Sequence, residues 1–127
     1  MNIDSSIFIA GHKGLAGSAI HRRLIDDGYK NLIVRDHSDL NLENQKATSE
    51  FFDKYKPEYV FLAAARVGGI HANNTYKADF IYSNLMIQCN VINAAYENSA
   101  KRVIFLGSTC IYPRLCDQPM SEDSLLS

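Results

Sequence analysis

The stretch Ile7-Phe8-Ile9-Ala10-Gly11-His12-Lys13-Gly14-Leu15-Ala16-Gly17 decides how the rest of the chain is read. An apolar run breaks into three glycines spaced three apart and then turns helical, which is the signature of a strand feeding a phosphate-binding turn. Such a turn needs a residue that tolerates positive φ, backbone free of Cβ where a diphosphate approaches, and a small residue where helix meets strand. Glycine meets all three demands. A helix opening at Leu15 would aim its unpaired N–H groups and positive dipole end at the phosphates. Spaced glycines alone are weak evidence, but a strand just before them and an amphipathic stretch just after supply the required context.

Outward from this turn, strands and helices alternate. Leu15, Ala16, Ala19, Ile20, Leu24 and Ile25 recur at helical spacing over Leu15 to Asp27, with Gly28 placed as a C-terminal glycine cap. Asn31 to Val34 suits a short buried strand, and a polar connection leads to a helix from about Glu43 to Tyr55 that carries Phe51 and Phe52 and stops before Pro57. Tyr59 to Ala63 is a third strand. Asn73, Asn74 and Thr75 are positioned to cap a long helix, Tyr76 to Asn98, whose polar residues Asp79, Ser83, Asn90 and Glu97 form one narrow stripe. Apolar residues such as Phe80, Ile81, Leu85, Ile87, Val91 and Ile92 cover the rest, so burial on more than one side is expected. A second neighbour within the chain and a homodimer interface both satisfy that pattern. Arg102 to Leu106 is the fourth strand. The alternation predicts one α/β domain over residues 1–127, a Rossmann-type parallel sheet with helices on both faces.

Composition narrows the function classes. The 127 residues are 46% hydrophobic and 21% charged, with 13 basic against 14 acidic side chains, so nothing argues for nucleic acid or a membrane as partner. The start lacks a basic n-region and no apolar run approaches a membrane span, which predicts a cytoplasmic protein. Cys89, Cys110 and Cys116 have no paired or metal-ligand spacing, and the four histidines are scattered, so free thiols and no metal are expected.

In an open parallel sheet, ligands bind beyond the carboxyl ends of the strands. All four ends are unusual here: the glycine turn, Arg35-Asp36-His37, Ala63-Ala64-Ala65 with Gly68-Gly69, and Gly107-Ser108-Thr109-Cys110. At the second end an acidic side chain grips a ribose 2′-hydroxyl, whereas a basic one accepts a 2′-phosphate. Arg35 and His37 flank Asp36, and Lys13 adds a cation from the glycine turn, which favours NADP over NAD. The alternative is that Asp36 faces the site with Arg35 paired to it. At the fourth end, Ser108 could hydrogen-bond a carbonyl, and the Cys110 thiol could exchange protons with carbon or be a small packed hydrophobe. Packed hydrophobe is also the reading for Cys89 and Cys116.

The segments Gly11-His12-Lys13-Gly14-Leu15-Ala16-Gly17, Leu62-Ala63-Ala64-Ala65-Arg66-Val67-Gly68-Gly69-Ile70, Ala72-Asn73-Asn74-Thr75-Tyr76 and Gly107-Ser108-Thr109-Cys110-Ile111-Tyr112-Pro113 together resemble the GDP-L-fucose synthase family of extended short-chain dehydrogenase/reductases. The resemblance spans nearly the whole chain. It implies NADPH-dependent 3,5-epimerisation and 4-reduction of GDP-4-keto-6-deoxy-D-mannose. Gly11 to Gly17 would hold the cofactor diphosphate, with Lys13, Arg35, Asp36 and His37 near the 2′-phosphate. The loop His37, Ser38, Asp39, Leu40, Asn41 and Leu42 would meet the adenine end. Ala63, Ala64 and Ala65 would line the cofactor, and Leu106, Gly107, Ser108 and Thr109 the nicotinamide side. Ser108 would assist at the keto oxygen and Cys110 would act as an acid/base.

The resemblance also implies that this is the first part of a larger enzyme. The family's TyrxxxLys pair, catalytic histidine and sugar-nucleotide domain have no counterpart in these residues, so the chain alone is expected not to turn over. Where the family can place arginine for the 2′-phosphate, this chain has His37. Two rival readings remain: another extended sugar-nucleotide epimerase or dehydratase, and a non-catalytic dinucleotide-binding remnant.

Overall fold

The computed structural model describes residues 1–125. Four parallel strands form one sheet in the order β2-β1-β3-β4: β1 Ile7–Ala10, β2 Leu32–Ile33, β3 Tyr59–Leu62 and β4 Arg102–Phe105. In register, Ile7 pairs with Leu32 on one side and Tyr59 on the other, and Leu62 pairs with Phe105. The strand order reverses between β1 and β3, which opens a crevice at their carboxyl ends.

Alternation along β1 divides the core. Ile7 and Ile9 face helix α1 (Leu15–Asp26) and pack with Leu24, Ile20 and Phe61. Phe8, Ala10, Val60 and Leu62 face the opposite way, against Phe51 and Phe52 of α2 (Gln45–Tyr55) and Ile87, Val91, Ala94 and Ala95 of the long helix α4 (Lys77–Glu97). Helices thus cover both faces, as expected of consecutive βαβ units. The edge strand β4 is the exception: Ile104 and Phe105 remain 37% and 45% exposed. Among the described residues, no helix is long and apolar enough to cross a membrane.

Local signals behave as their chemistry dictates. Gly28 takes φ +87° just beyond α1, where its N–H and that of Tyr29 close onto the carbonyls of Ile25 and Leu24. Asn44 caps α2 by accepting from the Ala47 N–H at 3.0 Å, so that helix starts two residues later than the Glu43 expectation.

Four expectations are corrected. Asn73, Asn74 and Thr75 do not cap the long helix; they lie inside a separate short helix, α3 (Ile70–Thr75). Asn73 Nδ2 instead donates to the carbonyls of Gly68 and Gly69, tying down the turn before α3. On α1, Leu15, Ala16, Ala19 and Ile25 are exposed, and Gly17, Ile20 and Leu24 alone meet the sheet side. The polar stripe of α4 is split. Asp79 and Glu97 are exposed, but Ser83 and Asn90 are buried, while apolar Ile81, Leu85, Ile92 and Tyr96 face outward. Among the described residues α4 is therefore buried on one side, so of the two expectations the second neighbour within the chain is the one the structure does not bear out. Cys89 and Cys110 are exposed and Cys116 is half-buried, so the packed-hydrophobe reading fails for the first two.

Candidate functional site

At the carboxyl ends of β1 and β3 lies a cleft of ≈ 970 Å³. Its walls are Gly11 to Ala16, Arg35 to Ser38, Leu40 to Glu43, Ala63 to Val67, and Ile87 from α4. The glycine turn is built backbone against backbone. Gly11 adopts φ +83°, and a Cβ there would stand 2.7 Å from the Ala64 nitrogen and 2.8 Å from the Ala63 carbonyl carbon. The Gly14 N–H closes the turn on the Gly11 carbonyl at 2.9 Å. Gly17 lies so close beneath that a Cβ would come within 2.1 Å of the same Gly11 oxygen. No side chain caps α1 at Gly14, which leaves its first N–H groups toward the cleft, where an anion is favoured.

The far wall is held by polar side chains from α2 and α4. Asn90 Nδ2 donates to the carbonyls of Leu42 (2.8 Å) and Glu43 (3.1 Å), and Thr48 Oγ1 donates to the carbonyls of Asn44 and, at 3.4 Å, Leu42. These bonds explain why Asn90 and Thr48 are buried. At the opposite lip, the Asn84 amide brackets Arg66, accepting from its N–H at 2.8 Å and donating to its carbonyl at 3.0 Å. The Arg66 guanidinium sits 5.3 Å above the Phe80 ring.

At the end of β2, Asp36 faces the cleft as the second alternative has it, but its partner is Lys13 and not Arg35. Asp36 pairs with Lys13 at 2.5 Å and lies 3.4 Å from His12 Nε2. Arg35 donates instead to the Val34 carbonyl at 2.7 Å and stacks over Tyr55 at 4.6 Å and Phe51 at 5.7 Å. Lys13, by hydrogen bond and then by charge, holds the Asp36 carboxyl below its ordinary range, with His12 adding to the effect. Arg35 and then Lys54 lower the Tyr55 hydroxyl in the same way.

Sixteen of the expected positions line this one cleft: Gly11 to Ala16, Arg35 to Ser38, Leu40 to Leu42 and Ala63 to Ala65. Gly17 lies just beneath the turn. Asp39 and the segment Leu106 to Cys110 fall outside the lining. There Ser108 Oγ accepts from the Cys110 N–H at 3.2 Å, which shapes a turn after β4 and leaves the hydroxyl proton available to another acceptor. Glu43 and Ile87, which line the cleft, had no signal in the sequence beyond ordinary helix and loop polarity.

A doubly wound parallel sheet with a three-glycine turn at its switch point defines a Rossmann-type domain. The chain belongs to the NAD dependent epimerase/dehydratase family, whose model matches residues 7–127. It is 55% identical over 123 residues to GDP-L-fucose synthase 1 of Arabidopsis thaliana, covering 97% of this chain and 38% of that one. It is 52% identical over 120 residues to the GDP-L-fucose synthase of Escherichia coli, covering 94% and 37%. A GDP-mannoheptose C4 reductase from Campylobacter jejuni, solved with NADP bound, superposes with a TM-score of 0.94 at 45% identity, covering 99% of this chain and 40% of that one. The chain thus spans at most two fifths of the length of these relatives.

Proposed function

We propose that this chain is the dinucleotide-holding part of a GDP-L-fucose synthase, which converts GDP-4-keto-6-deoxy-D-mannose to GDP-L-fucose with NADPH. The observation that carries the reading is the glycine turn seated bare against the exit of β3, in a cleft with uncapped helix N–H groups on one wall and the Asp36 carboxylate on another. Gly11 lets the turn close on the backbone of Ala63 and Ala64, where a Cβ would collide, and the uncapped first N–H groups of α1 beside it fit a diphosphate. Gly11 to Gly17 hold the diphosphate, the segment Arg35 to Leu42 holds the adenosine, and Ala63 to Ala65 with Leu106 to Thr109 border the nicotinamide. When bound, NADPH supplies the hydride that reduces C4.

The chain's own residues prepare the sugar. C3 and C5 flank the C4 ketone, which acidifies their protons. A protein base removes each proton and an acid returns one to the opposite face, so two centres invert without change in composition. Cys110 serves in that exchange and Ser108 donates its hydroxyl proton toward the C4 oxygen. A second reading, C4 reduction without epimerisation, is favoured by the likeness to the C4 reductase. Turnover of the keto sugar by the intact enzyme in D₂O separates the two. Deuterium at C3 and C5 of GDP-L-fucose is expected, with Cys110→Ser losing about 100-fold or more of the exchange. A reduced product free of deuterium at both carbons would establish the second reading.

The exposed thiols Cys89 and Cys110 suit a reducing compartment, and we place the protein in the cytoplasm. We also propose a homodimer through the outer face of α4, where Ile81, Leu85, Ile92 and Tyr96 form an exposed apolar stripe. Ile92→Lys is expected to shift the protein from dimer to monomer in sedimentation velocity with its circular dichroism unchanged. An unchanged sedimentation coefficient would remove α4 from the interface.

A further inference from the structure

Around the end of β2, one cation serves two masters. Lys13, 72% exposed, is the basic group that reaches Asp36, and Asp36 is itself 38% exposed toward the cleft. Arg35 is committed elsewhere, its guanidinium lying on the Tyr55 and Phe51 rings and bonding the Val34 carbonyl. His12 also points its Nε2 at Asp36. Together, Lys13 and Asp36 carry no net charge where an adenosine 2′ substituent would come to rest.

A 2′-phosphate carries about −1.5 to −2 charges and would meet an ionised carboxylate at this place, while its cation is already shared. A 2′-hydroxyl meets an acceptor that it can donate to. We propose that Asp36 is a specificity-determining residue that draws the site from NADP(H) toward NAD(H), so that both dinucleotides bind with affinities within about tenfold of each other. The inference rests on the reading of the cleft as a nicotinamide dinucleotide site. Lys13 sets the balance from the other side: it orients the carboxylate in the absence of a phosphate and is the group a 2′-phosphate must win over.

Calorimetric titration of the intact protein with NADP⁺ and with NAD⁺ tests this. Asp36→Asn keeps the shape and removes the charge; it is expected to tighten NADP⁺ about tenfold, the scale of one like-charge contact partly exposed to water, and to weaken NAD⁺ several-fold. Asp36→Ser should move the ratio the same way, which guards against a folding defect peculiar to one variant. Lys13→Met should weaken NADP⁺ more than NAD⁺. A wild-type preference for NADP⁺ beyond about tenfold, or an unchanged ratio in both Asp36 variants, overturns the inference while leaving the dinucleotide site standing. A folded protein that binds neither dinucleotide overturns the site and the inference together.

Discussion

Gly17→Ala is expected to lower the stability of the domain by about 3 kcal/mol or more, at the upper end of what overpacking costs, and to abolish dinucleotide binding. On helix propensity alone the change would help by about 1 kcal/mol. Geometry decides against it. The added Cβ would stand 2.1 Å from the Gly11 carbonyl oxygen, 2.7 Å from its carbon and 3.1 Å from the His12 nitrogen, all of them backbone. The turn cannot retreat, because Gly11 is itself pressed against Ala63 and Ala64 of the β3 exit. Nor can α1 retreat without lifting Leu24 from Ile7 and Ile9. Gly14→Ala serves as the milder comparison, since its Cβ would meet one atom, the Gly11 oxygen, at 3.3 Å, a tight contact that asks for a shift of a few tenths of an ångström where Gly17→Ala asks for more than an ångström. Urea unfolding of the two variants measures the difference. A Gly17→Ala protein within about 1 kcal/mol of wild type, the propensity gain, would mean that α1 packs more loosely than the structure has it.

That glycine was legible in the sequence because its role is local: three positions within one turn carry the whole requirement. The parallel strands were legible for a related reason, since consecutive apolar residues between turn signals leave few alternatives to a buried strand. The long helix was not. Counting apolar residues around α4 places Ser83 and Asn90 with Asp79 and Glu97 on a solvent face, yet the carbonyls of Leu42 and Glu43, about 48 positions away, are what Asn90 satisfies. A buried amide is as good as a leucine where loop carbonyls need donors, and no periodicity announces such donors. The β2 end shows the same limit. Arg35, Asp36 and His37 could be named as the adenosine end, but which cation reaches Asp36 depends on Tyr55 and Phe51 drawing Arg35 away. Asn73 to Thr75 misled through chemistry shared by two motifs: the amide that would cap a helix also closes the Gly68-Gly69 turn.

Phe52→Ala carries the second large effect, about 3–5 kcal/mol of destabilisation. Phe52 is fully buried in the larger core cluster. Its ring stands edge-on to Phe8 at 5.8 Å and to Phe51 at 5.7 Å, which locks α2 to the middle of the sheet. Removing it leaves a cavity under residues that cannot collapse into it, because Phe8 belongs to a strand paired on both sides. The consequence reaches the cleft. Phe51 carries the stack that holds Arg35, and Thr48, one turn earlier on α2, bonds the Leu42 carbonyl of the cleft wall. Dinucleotide affinity is therefore expected to fall along with stability, even where the variant remains folded. Phe52→Leu, which refills most of the volume, should cost less than about 1.5 kcal/mol and keep the affinity. Paired urea unfolding and calorimetry would show whether the two losses move together. Full affinity in a folded but destabilised Phe52→Ala protein would mean that α4, through Asn90, holds the wall by itself.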